Sequence, residues 1–433
     1  MAMDGKELVE KLAKLSQVQS IKDIPQLTHA LFPGTHCPLM GAAMAVGGIK
    51  DSLIVVVGTD ECTYYTKSMT IHSEKFGGID GRCVSVVLDD HDVTFGSAEK
   101  VQESFKEIIE EYRPQCVFLV TTCVIEIIGD DFDAISEGLS EIYGIPVLPV
   151  HTEHFKCEDH LPGLERTITV CAEMMKSCDS DNSVNLLGQR MGDFATTELY
   201  AMLQKAGVKI GLQLPCGCSV DDIKNAAAAK VNIVVNDIAL PLAQKMQEKF
   251  GIPYVYFNKF VIPEKIYEAY KNLFGYLELE LPGELEGLYQ NAREKIEKNK
   301  GELEGITYIY GNTPYAVFEM NCFLSSLGMV PQVIQTNRYT EADEPYAKEI
   351  LQYTDPYVCK AANIAPLQYV YDVLSPYLYL GHEFGNRLRQ KGIAIVHSDR
   401  ASGMLGFEVT GYLLQQLVKS VREAKEYRKE LGL

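Results

Sequence analysis

Strand-sized apolar runs alternate with amphipathic helical stretches along nearly all of this 433-residue chain, and that alternation fixes the class of fold. The first block reads as strands at Ser52–Gly58, Cys83–Leu88, Cys116–Thr121 and Pro146–Pro149, with a helix from Ser97 to Tyr112 ended by Arg113-Pro114. A second set follows at Val184–Leu187, Lys209–Leu212, Val231–Val235 and Tyr254–Phe257. A third runs through Thr307–Tyr310, Val330–Ile334, Tyr357–Lys360, Tyr377–Leu380 and Ile393–Val396. Strands separated by helices build parallel sheets with helical cover. The expected fold class is therefore α/β: three doubly wound, Rossmann-like parallel-sheet domains in series. Polar breaks near 177–183 and at Lys300-Gly301-Glu302 divide the chain into a first α/β domain (31–180), a second α/β domain (183–300) and a third with a C-terminal helix (301–433). A helical N-terminal lead-in, with Leu8, Leu12 and Leu15 at helical spacing, occupies residues 1–30.

The formal charge of −19 argues against a nucleic-acid partner, whose phosphates need a clustered cationic surface, and against an anionic membrane. No apolar run reaches transmembrane length, and the acidic N-terminus (Asp4, Glu7, Glu10) lacks a signal-peptide pattern, so the expected location is the cytoplasm. In that reducing compartment the 12 cysteines are not expected to form disulfides. Cys83, Cys116, Cys171, Cys178, Cys322 and Cys359 read as small hydrophobes.

Three other cysteines stand at strand–helix corners: Cys37 in His36-Cys37-Pro38-Leu39, Cys62 in Gly58-Thr59-Asp60-Glu61-Cys62, and Cys123 in Thr121-Thr122-Cys123. Doubly wound sheets bind ligands beyond the carboxyl ends of their strands. Soft thiolates gathered there suit the irons of an iron–sulfur cluster. Phosphate-loop, dinucleotide and nucleophile-elbow signatures are absent, so ATP hydrolysis by this chain is not expected.

Cys37-Pro38-Leu39 with Gly41, Cys62-Thr63-Tyr64-Tyr65, Phe95-Gly96, and Thr121-Thr122-Cys123 with Ile128-Gly129-Asp130-Asp131 resemble, in order and spacing, the component-1 subunits of nitrogenase and its relatives. The resemblance implies that Cys37, Cys62 and Cys123 ligate an iron–sulfur cluster, a single [4Fe–4S] or a P-cluster, at an interface with a homologous or identical subunit. It further implies a dimer or an α2β2-like tetramer served by an ATP-dependent iron protein. On this view the chain is a reductase subunit passing electrons one at a time to a substrate between the domains. The alternative is a non-catalytic scaffold on which a nitrogenase-type metallocofactor is assembled.

The second domain departs from nitrogenase. Asn236, in Val231-Asn232-Ile233-Val234-Val235-Asn236-Asp237, stands where nitrogenase places the cysteine that anchors its catalytic cofactor. An amide does not replace a thiolate on iron. Dinitrogen is thus the least favoured substrate, and a scaffold fits the change. His397, ahead of Ser398-Asp399, resembles the family's cofactor histidine. Cys157 matches the place of an auxiliary cluster ligand, and Cys216-Gly217-Cys218 could share a metal or act as a redox pair. His151, His154, Cys157 and His160 lack the second cysteine pair of a zinc site.

Overall fold

The computed structural model describes residues 4–27, 36–71, 82–157, 159–190, 193–311, 313, 315–360 and 364–433. Thr35, ahead of the His36-Cys37 corner, lies outside them. Among the described residues the expected alternation folds into three larger sheets, parallel apart from one N-terminal edge strand, beside a two-stranded parallel ladder. The first contains β1 (Ser52–Gly58), β2 (Cys83–Val87), β3 (Cys116–Thr121) and β4 (Val147–Val150), in the order β2-β1-β3-β4. The second contains β5 (Val184–Gln189), β6 (Ile210–Pro215), β7 (Val231–Val234) and β8 (Tyr254–Tyr256), ordered β8-β7-β5-β6. The third is β9 (Thr307–Tyr310), β10 (Val330–Gln335), β11 (Tyr357–Cys359), β12 (Leu378–Leu380) and β13 (Ala394–Val396), ordered β11-β10-β9-β12-β13.

β1 and β3 are buried along their whole length, as continuous apolar runs in a sheet covered on both faces should be. The helix predicted before β3 spans Ala98–Tyr112 and buries Val101, Phe105 and Ile108, one helical stripe. It stops where Arg113 turns left-handed ahead of Pro114.

Two features revise the domain picture drawn from the sequence. The break at 177–183 separates two sheets but not two cores. One cluster of buried side chains runs from Ile54 and Phe118 through Leu164 and Ile168 to Leu187, Leu212 and Val234. The N-terminal segment, expected to be a helical lead-in, is α-helical among its described residues over Gly5–Glu10, with single 3-10 turns at Leu15–Gln17 and Ile21–Asp23. Ala13–Lys14 then pairs antiparallel with β11, so this segment becomes an edge strand of the third sheet. Leu8, Leu12 and Leu15 keep their apolar spacing because they bury against that domain, not because the helix continues.

Candidate functional site

β1 and β3 are neighbours, and between them the chain order of the first sheet reverses. The carboxyl ends of such a pair form the crevice where doubly wound folds place ligands. Cys62 is the third residue of the Asp60–Ile71 helix that follows β1, and Cys123 opens the Cys123–Ile128 helix that follows β3. Cys37 caps the N-terminus of the Pro38–Gly47 helix with its backbone extended, and its thiol makes no capping bond. All three thiols are half-buried and unoxidised.

Close backbone packing holds these corners. Thr122 donates its hydroxyl to the Val57 carbonyl at 2.9 Å. Gly58 admits that contact: its φ is +156°, and a Cβ there would fall 2.0 Å from Thr122 Oγ1. Gly41, in the Cys37 motif, lets the Pro38–Gly47 helix cross the Leu161–Val170 helix, since a Cβ would meet the His160 carbonyl oxygen at 1.9 Å.

Burial pushes the Cys123 thiol above its ordinary pKa; the nearby Cys62 adds to the rise, and Cys37 adds further. The three sulfurs therefore share one electrostatic neighbourhood. They are not packed as ligands of a single ion. Among the described residues only Asp89, His91 and Asp92 bring three ligand atoms within 4.8 Å of one another. Ligands of one tetrahedral zinc would stand about 3.8 Å apart. Wider spacing suits thiolates that each hold a different iron.

Around these corners the surface is unusually apolar. Tyr64 is 74% exposed and Ile127 72%, each within four residues of Cys62 or Cys123, while Phe95 and Phe155, 76% and 73% exposed, stand on segments that touch the Cys123–Ile128 helix. Glu126 binds the loops together from below. Its Oε1 accepts from the Thr121 and Thr152 hydroxyls at 2.8 and 2.9 Å, and its Oε2 accepts from His154 N at 3.2 Å.

The other sequence candidates separate. The Cys157 thiol donates to the Thr152 carbonyl and accepts from Arg166, both at 3.6 Å, and burial raises its pKa while Arg166 lowers it. Cys216 and Cys218 do not face a common partner. Cys216 donates to the Arg190 carbonyl at 3.1 Å, whereas Cys218 lies in the core on a short strand paired with Ile49–Lys50. His397 is exposed, with its carbonyl taking the Tyr412 hydroxyl at 3.3 Å. The Asn236 side chain caps the turn after β7, accepting from Ile238 N at 3.2 Å.

A second group of charged and ionisable side chains escaped the sequence reading. Where the three sheets meet, Arg190 follows β5, Lys259 follows β8, and His160 opens the Leu161–Val170 helix. Burial, then Arg190, holds the His160 imidazole down at about 4. Asp237 pairs with Arg338 at 2.9 Å across the junction of the second and third sheets. Position at a strand's carboxyl end was the available signal for Arg190 and Lys259.

The family of nitrogenase component 1 type oxidoreductases matches residues 37–422, from the first corner cysteine almost to the C-terminus. The chain belongs to that family. A nitrogenase iron-molybdenum cofactor biosynthesis protein NifE of Clostridium pasteurianum is 31% identical over 224 residues, 51% of this chain and 49% of that relative. The match therefore spans about half the length of that relative. NifE of Rippkaea orientalis is 24% identical over 331 residues, 73% of this chain and 69% of its own. The nitrogenase molybdenum-iron protein alpha chain of Methanosarcina barkeri is 24% identical over 330 residues, 72% of this chain and 62% of its own. Nitrogenase Cp1 at pH 6.5 superposes with a TM-score of 0.78 over 94% of this chain and 96% of that one, at 14% identity, which establishes the shared fold. No helix among the described residues is long and apolar enough to cross a membrane.

Proposed function

We propose that this chain is a scaffold subunit on which a nitrogenase-type metallocofactor is assembled, carrying an iron–sulfur cluster on Cys37, Cys62 and Cys123. The observation that carries the reading is the shared electrostatic neighbourhood of those three thiols, Cys62 and Cys123 just past the carboxyl ends of β1 and β3 and Cys37 at the start of a helix that touches the Cys62 helix. The donor set fits the group: three soft sulfur ligands, half-buried, on rigid corners. When bound, the cluster supplies one-electron transfer. The protein's part is to hold its ligands fixed through Gly58 and Gly41 and to limit water at the corner.

The exposed rings of Tyr64, Phe95 and Phe155, with Ile127, support a partner subunit closing over this corner, because a free surface rarely gathers so much apolar area. A homologous subunit completing a dimer or an α2β2-like assembly is the partner we assign.

Relatives named as cofactor biosynthesis proteins support the scaffold over a reductase, and so does Asn236. Its amide is committed to a cap, so a cofactor at the junction has no thiolate there and is held for release. The relation to a molybdenum-iron alpha chain supports the second reading, a reductase fed by an ATP-dependent iron protein.

Iron analysis and visible absorbance of the purified complex test the assignment. Cys62→Ala and Cys123→Ala are each expected to abolish the cluster's charge-transfer absorbance, while Cys322→Ala leaves it intact. Unchanged iron in the Cys123 variant removes that residue from the ligand set. Cofactor that transfers to an acceptor protein supports the scaffold; steady substrate reduction supports the reductase.

A further inference from the structure

We propose that Arg166 is a positioning residue for the cysteine corner: through the 151–157 loop it fixes how the Cys37 and Cys123 segments stand to each other, and its charge sets the potential of the group they hold. The inference rests on the cluster assignment above and names what regulates it.

The 151–157 loop leaves the carboxyl end of β4 and is gripped from two sides. Glu126, one turn into the helix that Cys123 opens, accepts from the Thr152 hydroxyl at 2.9 Å, from Glu153 N at 2.5 Å and from His154 N at 3.2 Å. Arg166, in the Leu161–Val170 helix, donates through Nη1 to the Thr152 carbonyl at 2.5 Å, the His151 carbonyl at 3.3 Å and Cys157 Sγ at 3.6 Å. Its Nη2 pairs with the Glu153 carboxylate at 2.5 Å. Glu153 itself stands at φ 45°, a left-handed conformation that persists only where the surroundings over-determine it. Glu126 holds its N–H and Arg166 its carboxylate.

The Arg166 helix in turn lies against the Cys37 segment. A Cβ on Gly163, one turn before Arg166, would fall 1.8 Å from the Pro38 carbonyl oxygen. Backbone meets backbone there, directly after Cys37. Unbroken contact therefore runs from Cys123 through Glu126, the loop and Arg166 to Pro38. A planar fork suits this task, because a single guanidinium reaches several acceptors in fixed directions where an ammonium is a point charge.

Both members of the Arg166–Glu153 pair are half-buried, where charge is screened less than in open water. Neutralising Arg166 leaves the corner more negative and disfavours the reduced state of a cluster; neutralising Glu153 does the reverse.

Iron content and the spectroelectrochemical midpoint of the purified complex test this in Arg166→Gln, Arg166→Lys and Glu153→Gln. Hydrogen exchange over 151–157 in the iron-free chain adds a readout that needs no cluster. Arg166→Gln is expected to lose iron, to lower the midpoint and to exchange at least about tenfold faster over the loop, as loss of hydrogen bonds from a charged donor predicts. Glu153→Gln should raise the midpoint. Arg166→Lys should keep the wild-type midpoint while loading less iron. Loosened packing alone would lower loading in both neutral variants without moving their midpoints in opposite directions. Midpoints that move together or not at all, or unchanged exchange in Arg166→Gln, overturn the proposal with the cluster assignment intact. If Arg166→Gln holds too little iron to titrate, Glu153→Gln decides, and an unchanged or lowered midpoint there overturns it. A wild-type complex without iron sinks the cluster assignment itself.

Discussion

Thr122 and Val57 are joined by a 2.9 Å hydrogen bond, hydroxyl to carbonyl, and that bond ties the corner leading to Cys62 to the corner opened by Cys123. It exists because Gly58 leaves room for it. Gly58→Ala places a methyl 2.0 Å from Thr122 Oγ1 at a φ of +156°. The expected cost is about 2–3 kcal/mol, the upper range for a strained backbone position. Denaturant unfolding measures it, and iron loading should fall with it, since the two thiols would be driven apart. Thr122→Ser, which keeps the hydroxyl, should retain the iron.

Asn236 is a cap first. Asn236→Ala removes the acceptor for Ile238 N and is expected to cost about 1 kcal/mol, whereas Asn236→Ser should lose less. Cluster absorbance should be unchanged in both, because Asn236 belongs to the junction and not to the cysteine corner. A spectral change in either variant would link the two regions directly.

His160 makes stability depend on pH in a stated direction. Its imidazole drops from 6.5 to about 4 in the fold, through burial and then Arg190. The unfolded chain therefore binds the proton first, and folding stability falls as pH is lowered through 6.5 toward 4. The contribution is about 3 kcal/mol at most by the 1.36 kcal/mol-per-unit relation. His160→Gln should flatten that limb of the stability profile relative to wild type. A profile identical in both proteins would place the acid sensitivity elsewhere.

The N-terminal segment belongs energetically to the far end of the chain. Leu8, Leu12, Leu15, Val18 and Ile24 are buried, and Ser16 donates to Asp355 at 2.8 Å. At about 1.5–3 kcal/mol per buried aliphatic side chain, deleting residues 1–24 removes several such contributions and exposes an edge of the third sheet. A fall in thermal midpoint of at least about 10 °C is expected, with aggregation through the bared β11 edge. A monodisperse truncated chain of unchanged midpoint would contradict this account.

What the sequence by itself determined was local. Continuous apolar, strand-length runs such as Ser52–Gly58 and Cys116–Thr121 read as strands buried on both faces, and Ala98–Tyr112 carries a helical stripe ending at Arg113-Pro114. The order of cysteine motifs also placed Cys62 and Cys123 just past strands and Cys37 ahead of a helix. Three things depended on the tertiary structure. The first was which corners meet, since strand order sets β1 beside β3. The second was that the N-terminal segment pairs with β11, more than 300 residues away, through backbone hydrogen bonds that no side-chain pattern announces. The third was the burial of His160 near Arg190: a charge in a sequence carries no record of its neighbours, and only packing decides whether a cation meets water, a carboxylate or another cation.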